Sequence, residues 1–217
     1  KSLDRFVALK LLPKALANDP EFSSRFEGEA KALASLSHPN IVTVHDFGQQ
    51  DDFYFLLMEF VDGPNLRQLI REHKFSPEEA LAIVPPLCEA LEFAHGKNIV
   101  HRDIKPANIL IDSSDQVKIV DFGLARIFGG EHDALNLTTA SERFGTAIYM
   151  APEQRKAAAD SDHRADIYSL GVVIYEMLTG DSTRWSIARS LPIRRDATNV
   201  LEMSVVNSRL DPIFLRS

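Results

Sequence analysis

The stretch IVHRDIKPANILID, residues 99–112, sets His, Arg, Asp, Lys and Asn between two runs of Ile, Val and Leu. A loop that only reverses the chain favours Gly, Pro, Asn and Ser. A buried segment avoids crowded charges, because a charge taken out of water is costly unless it is paired. The apolar flanks therefore predict packed structure on both sides of a polar loop. Loops held by a rigid scaffold in this way are where chemistry is usually placed.

The rest of the chain bounds what that chemistry can be. It has 217 residues, 45% of them apolar, enough for one large domain or two small lobes around a real core. The balance of 24 basic and 31 acidic residues gives a net charge of −7, which argues against a general nucleic-acid footprint. Cys88 is the one cysteine and forms no internal disulfide, so a reducing, cytoplasmic setting is expected. It lies in an apolar helical stretch and reads as a core filler rather than a nucleophile. No apolar run reaches the roughly 18–20 residues that cross a bilayer. The opening residues KSLDRFVALK carry no signal-peptide pattern and no initiator Met, and they approach a strand at once. That predicts a natural start further upstream.

Working outward from the loop, RFVALKLL reads as a strand. DPEFSSRFEGEAKALASL reads as a helix, with Phe22, Phe26, Ala30 and Leu33 at three- and four-residue steps. HPNIVTVHDFGQ and FYFLLMEFV read as two strands joined by a polar turn, and DGPNL breaks the pattern. SPEEALAIVPPLCEALEFAHGKN opens with Ser76 as N-cap, Pro77 at the first helical position and Glu79 completing a capping box. Pro85 and Pro86 fall inside it, where each costs about 3 kcal/mol unless the helix kinks. QVKIVDFG contains a short strand, and a long irregular segment follows it. ADIYSLGVVIYEMLTG is apolar on nearly every face and predicts a buried helix ended by Gly180.

Several motifs now stand in order. VALK holds Lys10 on a strand, and Glu29 follows on a helix. HRDIKPAN holds Asp103, Lys105 and Asn108. DFG holds Asp121, Phe122 and Gly123, and APE holds Ala151, Pro152 and Glu153. Any one of these alone is weak. The full series, from residue 7 to about 180, resembles the protein kinase family, and within it the bacterial serine/threonine kinases of eukaryotic type. LSHPNIVTVHDFG, LMEFVDG and HRDIKPANILI carry that likeness.

The resemblance implies an α+β, two-lobed fold, with a strand-rich small lobe and hinge over residues 1–61. A larger helical lobe would span 62–180, and a divergent end 181–217. It implies ATP and Mg²⁺ as cofactors, and a protein with a Ser or Thr acceptor as substrate. Moving a γ-phosphoryl group needs positioning and charge neutralisation more than covalent chemistry. Lys10 matches the residue that holds the α- and β-phosphates, with Glu29 as its partner. Asn108 and Asp121 match the metal-binding positions, since Mg²⁺ takes hard oxygen ligands. Asp103 matches the residue that orients the substrate hydroxyl and accepts its proton. Lys105, two residues on, goes with Ser/Thr specificity, as does Thr146. For the adenine, Met58 would stand at the back of the pocket. Glu59 and Val61 would offer backbone groups, and Ala8 and Leu110 would sandwich the ring. Arg102 matches an arginine that pairs with a loop phosphate, for which Thr138, Thr139 and Ser141 are the nearby acceptors. Asp166 would hold the backbone of the catalytic loop. Leu33, Val44, His101 and Phe122 match a packed column between the lobes.

Two parts of the family pattern are absent. The Gly-rich hairpin should precede Lys10 by some twenty residues, yet no glycine occurs before Gly28. After Gly180 the helices of the family do not follow, so Glu153 lacks its expected arginine partner. DSTRWSIARSLPIRRDATN departs from the pattern, and a local reading-frame shift is one account of it. Two alternatives stay open beside a protein kinase. A scaffold without catalysis would be expected to have lost some of Lys10, Asp103, Asn108 and Asp121, and all four are present. Against a small-molecule phosphotransferase sharing the fold, APE and the GTAIYMAPE loop favour a protein substrate, because in the family that segment docks the peptide.

Overall fold

The structure is a computed structural model. It describes residues 5–12, 22–51, 53–73, 75–122, 147–155 and 161–182. Gly123, Thr138, Thr139, Ser141, Thr146 and the end of the chain from residue 183 lie outside these, so the expectations placed on them do too.

Among the described residues the small lobe is a three-stranded antiparallel sheet and one helix. Strands β1 (Val7–Leu12), β2 (Val44–Gln50) and β3 (Phe53–Glu59) are ordered β1-β3-β2. Register pairs Ala8 with Met58 and Lys10 with Leu56. Alternation along β1 turns Ala8, Lys10 and Leu12 inward, while Leu9 and Leu11 stay 58% exposed. Helix α1 (Phe22–Ala34) lays Phe22, Phe26, Ala30 and Leu33 on the inner face of the sheet, the stripe that the sequence spacing predicts. Tyr54 on β3 receives the rings of Phe22 and Phe26 edge-on, at centroid distances of 5.0 and 4.9 Å. Aromatic pairs in this geometry add to the area they bury.

Helix α2 (Leu66–Glu72) begins the large lobe. The break at DGPNL hides it in the sequence, yet NLRQ carries its start. Asn65 accepts from Gln68 N and the Gln68 side chain returns to Asn65 N, a full capping box worth about 1 kcal/mol. Gly63 precedes it because a Cβ there would fall 1.9 Å from the Ile111 carbonyl oxygen. Helix α3 (Pro77–Gly96) starts on the predicted Ser76–Glu79 box and runs through Pro85 and Pro86. The carbonyls those prolines leave without helical donors belong to Leu81 and Ala82. Both residues are exposed, so water can serve their carbonyls. Cys88 also lies on the exposed side of α3, which corrects the expectation of a core filler. Desolvation and the carboxylates of Glu89 and Glu92 push its thiol up, away from the nucleophilic thiolate.

Strands β4 (Ile109–Ile111) and β5 (Val117–Ile119) form a two-stranded antiparallel ribbon. Helix α4 (Arg164–Thr179) packs against α3, with Ala165, Val172, Val173 and Met177 fully buried. It ends at Gly180, whose φ of 72° is the left-handed cap that glycine adopts without strain. Ile167 is 54% exposed, so α4 is less enclosed than its composition predicts. Among the described residues no helix is long and apolar enough to cross a membrane. The lobes meet where Ile41 bridges Ile119 and where Asn40 Nδ2 donates to the Val117 carbonyl at 2.7 Å.

Candidate active site

The loop of residues 101–108 crosses the N-terminal end of α4, and one buried carboxylate there holds it. Asp166 is 0% exposed. Its Oδ2 accepts from His101 N and its Oδ1 from Arg102 N, at 2.8 and 2.7 Å. His95 Nε2, from the last turn of α3, reaches Oδ2 at 2.8 Å. The site suits an anion twice over, since the helix N-terminus favours negative charge and three hydrogen bonds satisfy it. The resemblance predicts the backbone role of Asp166; His95 was not foreseen.

Arg102 has φ 68°, and Asp121 has φ 64°. A side chain in that region costs about 1–3 kcal/mol, and such strain persists only where the surroundings over-determine it. Here they do. His101, fully buried, accepts from Asp103 N on Nδ1 at 3.1 Å. Its Nε2 lies 2.9 Å from the Val120 carbonyl. Donor and acceptor roles then fix the Nε2–H tautomer. The ring also packs edge-on to Phe122, with centroids 4.6 Å apart. Phe122 in turn lines a small cavity of about 20 Å³ between the lobes with Leu33, Val44, Met58 and Asp121. The predicted column of Leu33, Val44, His101 and Phe122 is thus brought together.

The carboxylate of Asp103 faces a half-exposed mouth. Lys105 Nζ lies 2.7 Å from its Oδ2, and Asn108 Nδ2 donates to the same oxygen at 3.1 Å. Asn108 Nδ2 also donates to the Asp103 carbonyl at 2.8 Å. The five-residue spacing has this physical meaning. A short 3-10 turn over Pro106–Asn108 folds residue 108 back over residue 103. Asn108 O then accepts from Val120 N, which ties β5 and the following Asp121 to the same point.

Lys10 Nζ makes its ion pair with Asp121 Oδ2, at 2.7 Å. The partner in this structure is thus Asp121 rather than the expected Glu29. Glu29 is half-buried on the flank of α1 and makes an interaction of its own. Its neighbour Glu27 is exposed and pairs with Lys31, so burial separates two glutamates that the sequence leaves hard to tell apart.

Of the residues assigned to adenine, Ala8 and Met58 face each other across β1 and β3, Glu59 ends β3, and Val61 follows it. Leu110 lies in β4, bridged to Asn65. Glu59 N donates to the Thr43 carbonyl. The Glu59 side chain does something the sequence reading missed. It pairs with Lys118 at 2.8 Å, and Lys118 Nζ also donates to the Pro39 carbonyl at 2.9 Å. Lys118 is 8% exposed. The signal was a lysine inside the apolar run VKIV.

The donor set suits Mg²⁺. Asn108 spends its amide nitrogen on Asp103 and keeps Oδ1, while Asp121 keeps one oxygen beyond the Lys10 pair. Mg²⁺ takes one or two protein oxygens and completes its shell with phosphates and water.

Segment 147–155 packs beside this loop. Ser169 Oγ donates to the Tyr149 carbonyl at 2.8 Å, and Tyr149 OH donates to Glu176 at 2.5 Å. Burial pushes the Glu176 carboxyl up, with Tyr149 and Arg67 acting against it. Burial and Glu176 together push the Tyr149 hydroxyl well above its ordinary range. Glu153 is exposed and faces the charge of Arg164, which is paired with Asp162 at 3.0 Å.

The family model described as the protein kinase domain matches residues 1–211. The serine/threonine-protein kinase PknB of Mycobacterium leprae is 44% identical over 185 residues, covering 82% of this chain and 29% of that protein. PrkC of Bacillus subtilis is 42% identical over 179 residues, covering 82% and 27%. The chain therefore spans under a third of the length of these relatives. The crystal structure of the Mycobacterium tuberculosis PknI kinase domain superposes with a TM-score of 0.65 at 33% identity, covering 83% of this chain and 66% of that one. With its fold, its ordered motifs and this match, the chain belongs to the protein kinase domain family.

Proposed function

We propose that the chain is the core of an ATP-dependent protein serine/threonine kinase, which transfers the γ-phosphoryl group to Ser or Thr hydroxyls of cytoplasmic proteins. The observation that carries this is the Asp103 carboxylate, open to solvent yet fixed by Lys105 and Asn108. A base that orients a hydroxyl must be both accessible and held. The relatives named as serine/threonine-protein kinases support the acceptor type.

In this reading Asp103 accepts the hydroxyl proton as the oxygen attacks phosphorus in line with the departing ADP. Lys105 offsets the charge of the group in transfer. Lys10 leaves Asp121 for the α- and β-phosphates, and Glu29 then steadies it. Asn108 and Asp121 hold Mg²⁺, which when bound neutralises phosphate charge. Ala8, Met58 and Leu110 supply the apolar walls for adenine, and backbone groups of Glu59 and Val61 orient it. A phosphate on Thr138, Thr139 or Ser141 pairs with Arg102. Replacing all three acceptors with alanine then lowers activity.

Asp103→Asn tests the assignment. Turnover falls about a thousandfold while ATP affinity stays within about threefold, because Asp103 touches the hydroxyl and not the nucleotide. Wild-type turnover in that variant contradicts it.

A further inference from the structure

We propose that Gln154 is a positioning residue for Asp103, fixing the peptide plane that precedes it and coupling that plane to segment 147–155. The proposal rests on the kinase reading above. Gln154 follows the APE motif, outside every motif used so far, and is 5% exposed. Its Nε2 donates to the Arg102 carbonyl at 2.9 Å, and its Oε1 accepts from Ala151 N at 2.9 Å. A buried amide with both ends paired is a bridge rather than a filler.

The bridge ends at a sensitive point. The peptide joining Arg102 to Asp103 has two polar groups. Its carbonyl takes Gln154, and its N–H donates to His101 Nδ1 at 3.1 Å. The preceding N–H, that of Arg102, is taken by Asp166. Arg102 sits at φ 68°, where a side chain rests only if its neighbours hold it. Asp166 and His101 hold two of these groups, and both belong to the catalytic loop and the helix beneath it. Gln154 is the hold that comes from the other segment. That segment is anchored to α4 through Ser169 and the Tyr149 carbonyl. A shift of residues 149–154 therefore reaches the Asp103 backbone through one side chain. Glutamine is suited to this because one planar group carries both a donor and an acceptor.

Two substitutions in the full chain split the two bonds. Gln154→Met keeps the shape and removes both. Gln154→Glu keeps an acceptor for Ala151 N but sets oxygen against the Arg102 carbonyl. Turnover and KM are measured per folded molecule, and amide hydrogen exchange is followed at Ala151 and Asp103. With Met, kcat falls about tenfold while KM for ATP holds within about twofold, since Asp103 is displaced and the nucleotide site is not. Exchange quickens at both amides. With Glu, kcat falls at least as far, but Ala151 N–H stays protected. A side chain that only fills space would be replaced by Met without loss of kcat, and that result overturns the proposal. If the wild type transfers no phosphoryl group, the kinase reading fails by itself. Exchange then decides the bridge, and unchanged rates at Ala151 and Asp103 in both variants overturn it.

Discussion

The loop of residues 101–108 and strand β1 supply charged groups to one candidate site, yet they are held in opposite ways. Each backbone N–H from His101 to Asp103 that bears on the carboxylate meets a buried side chain: Asp166 for the first two, His101 for the third. Among the described residues β1 pairs with β3 on one side and turns Leu9 and Leu11 to solvent. Its Lys10 is held by a single ion pair with about a third of each side chain exposed. In the proposed reading the loop is over-determined because the acceptor hydroxyl tolerates little displacement. In the same reading the lysine needs less restraint, because a flexible stem can find phosphates without being rigid itself.

The regions meet at Asp121, so its loss has the largest effect. Asp121→Asn removes the partner of Lys10 and a carboxylate from the proposed metal site, and turnover falls about a thousandfold. Activity unchanged across a Mg²⁺ titration would break the comparison at its junction. Next comes the anchor of the rigid side. Asp166→Ala leaves the N–H groups of His101 and Arg102 and the His95 ring without their acceptor. With each orphaned buried donor costing about 1–3 kcal/mol, the expected loss is about 4 kcal/mol in denaturant unfolding. A loss under about 1 kcal/mol would show that the loop is held by other means.

Lys118→Met tests the tie between the lobes and sharpens the contrast. It leaves Glu59 without its cation. Because Glu59 is partly exposed, the cost falls near or below the low end for buried pairs, about 2–3 kcal/mol, or about 5–10 °C in Tm. Adding Glu59→Gln should recover part of that loss, and a double-mutant cycle reads the coupling. Leu9→Lys comes last. On the outward face of β1 it changes stability by under about 0.5 kcal/mol while reducing light scattering on standing. A larger destabilisation would mean that this face is buried against something in solution.

Legibility in the sequence followed the kind of interaction. Helices α1 and α3 were readable because their signals are local, an apolar stripe in one and a capping box in the other. Helix α2 carried the same kind of signal in NLRQ, hidden behind the Gly-Pro that breaks the chain before it. Lys10, Asp103, Asn108 and Asp121 could be read from motif order. Their partners were harder. Nothing local says that Lys10 reaches Asp121 rather than Glu29, because the choice depends on how two distant segments are set. His95, Lys118 and Gln154 were missed for the same reason, since each acts through a bond to a residue far along the chain. Cys88 was misjudged because an apolar neighbourhood in sequence is not a buried face on a helix.

The most direct measurement is transfer from γ-labelled ATP to protein by the full chain, followed by phosphoamino-acid analysis. Asp103 beside Lys105, in the half-exposed mouth of an anchored loop, predicts label on phosphoserine or phosphothreonine, and its loss in Asp103→Asn. Label predominantly on phosphotyrosine, or equal label with Asp103 replaced, would contradict the account.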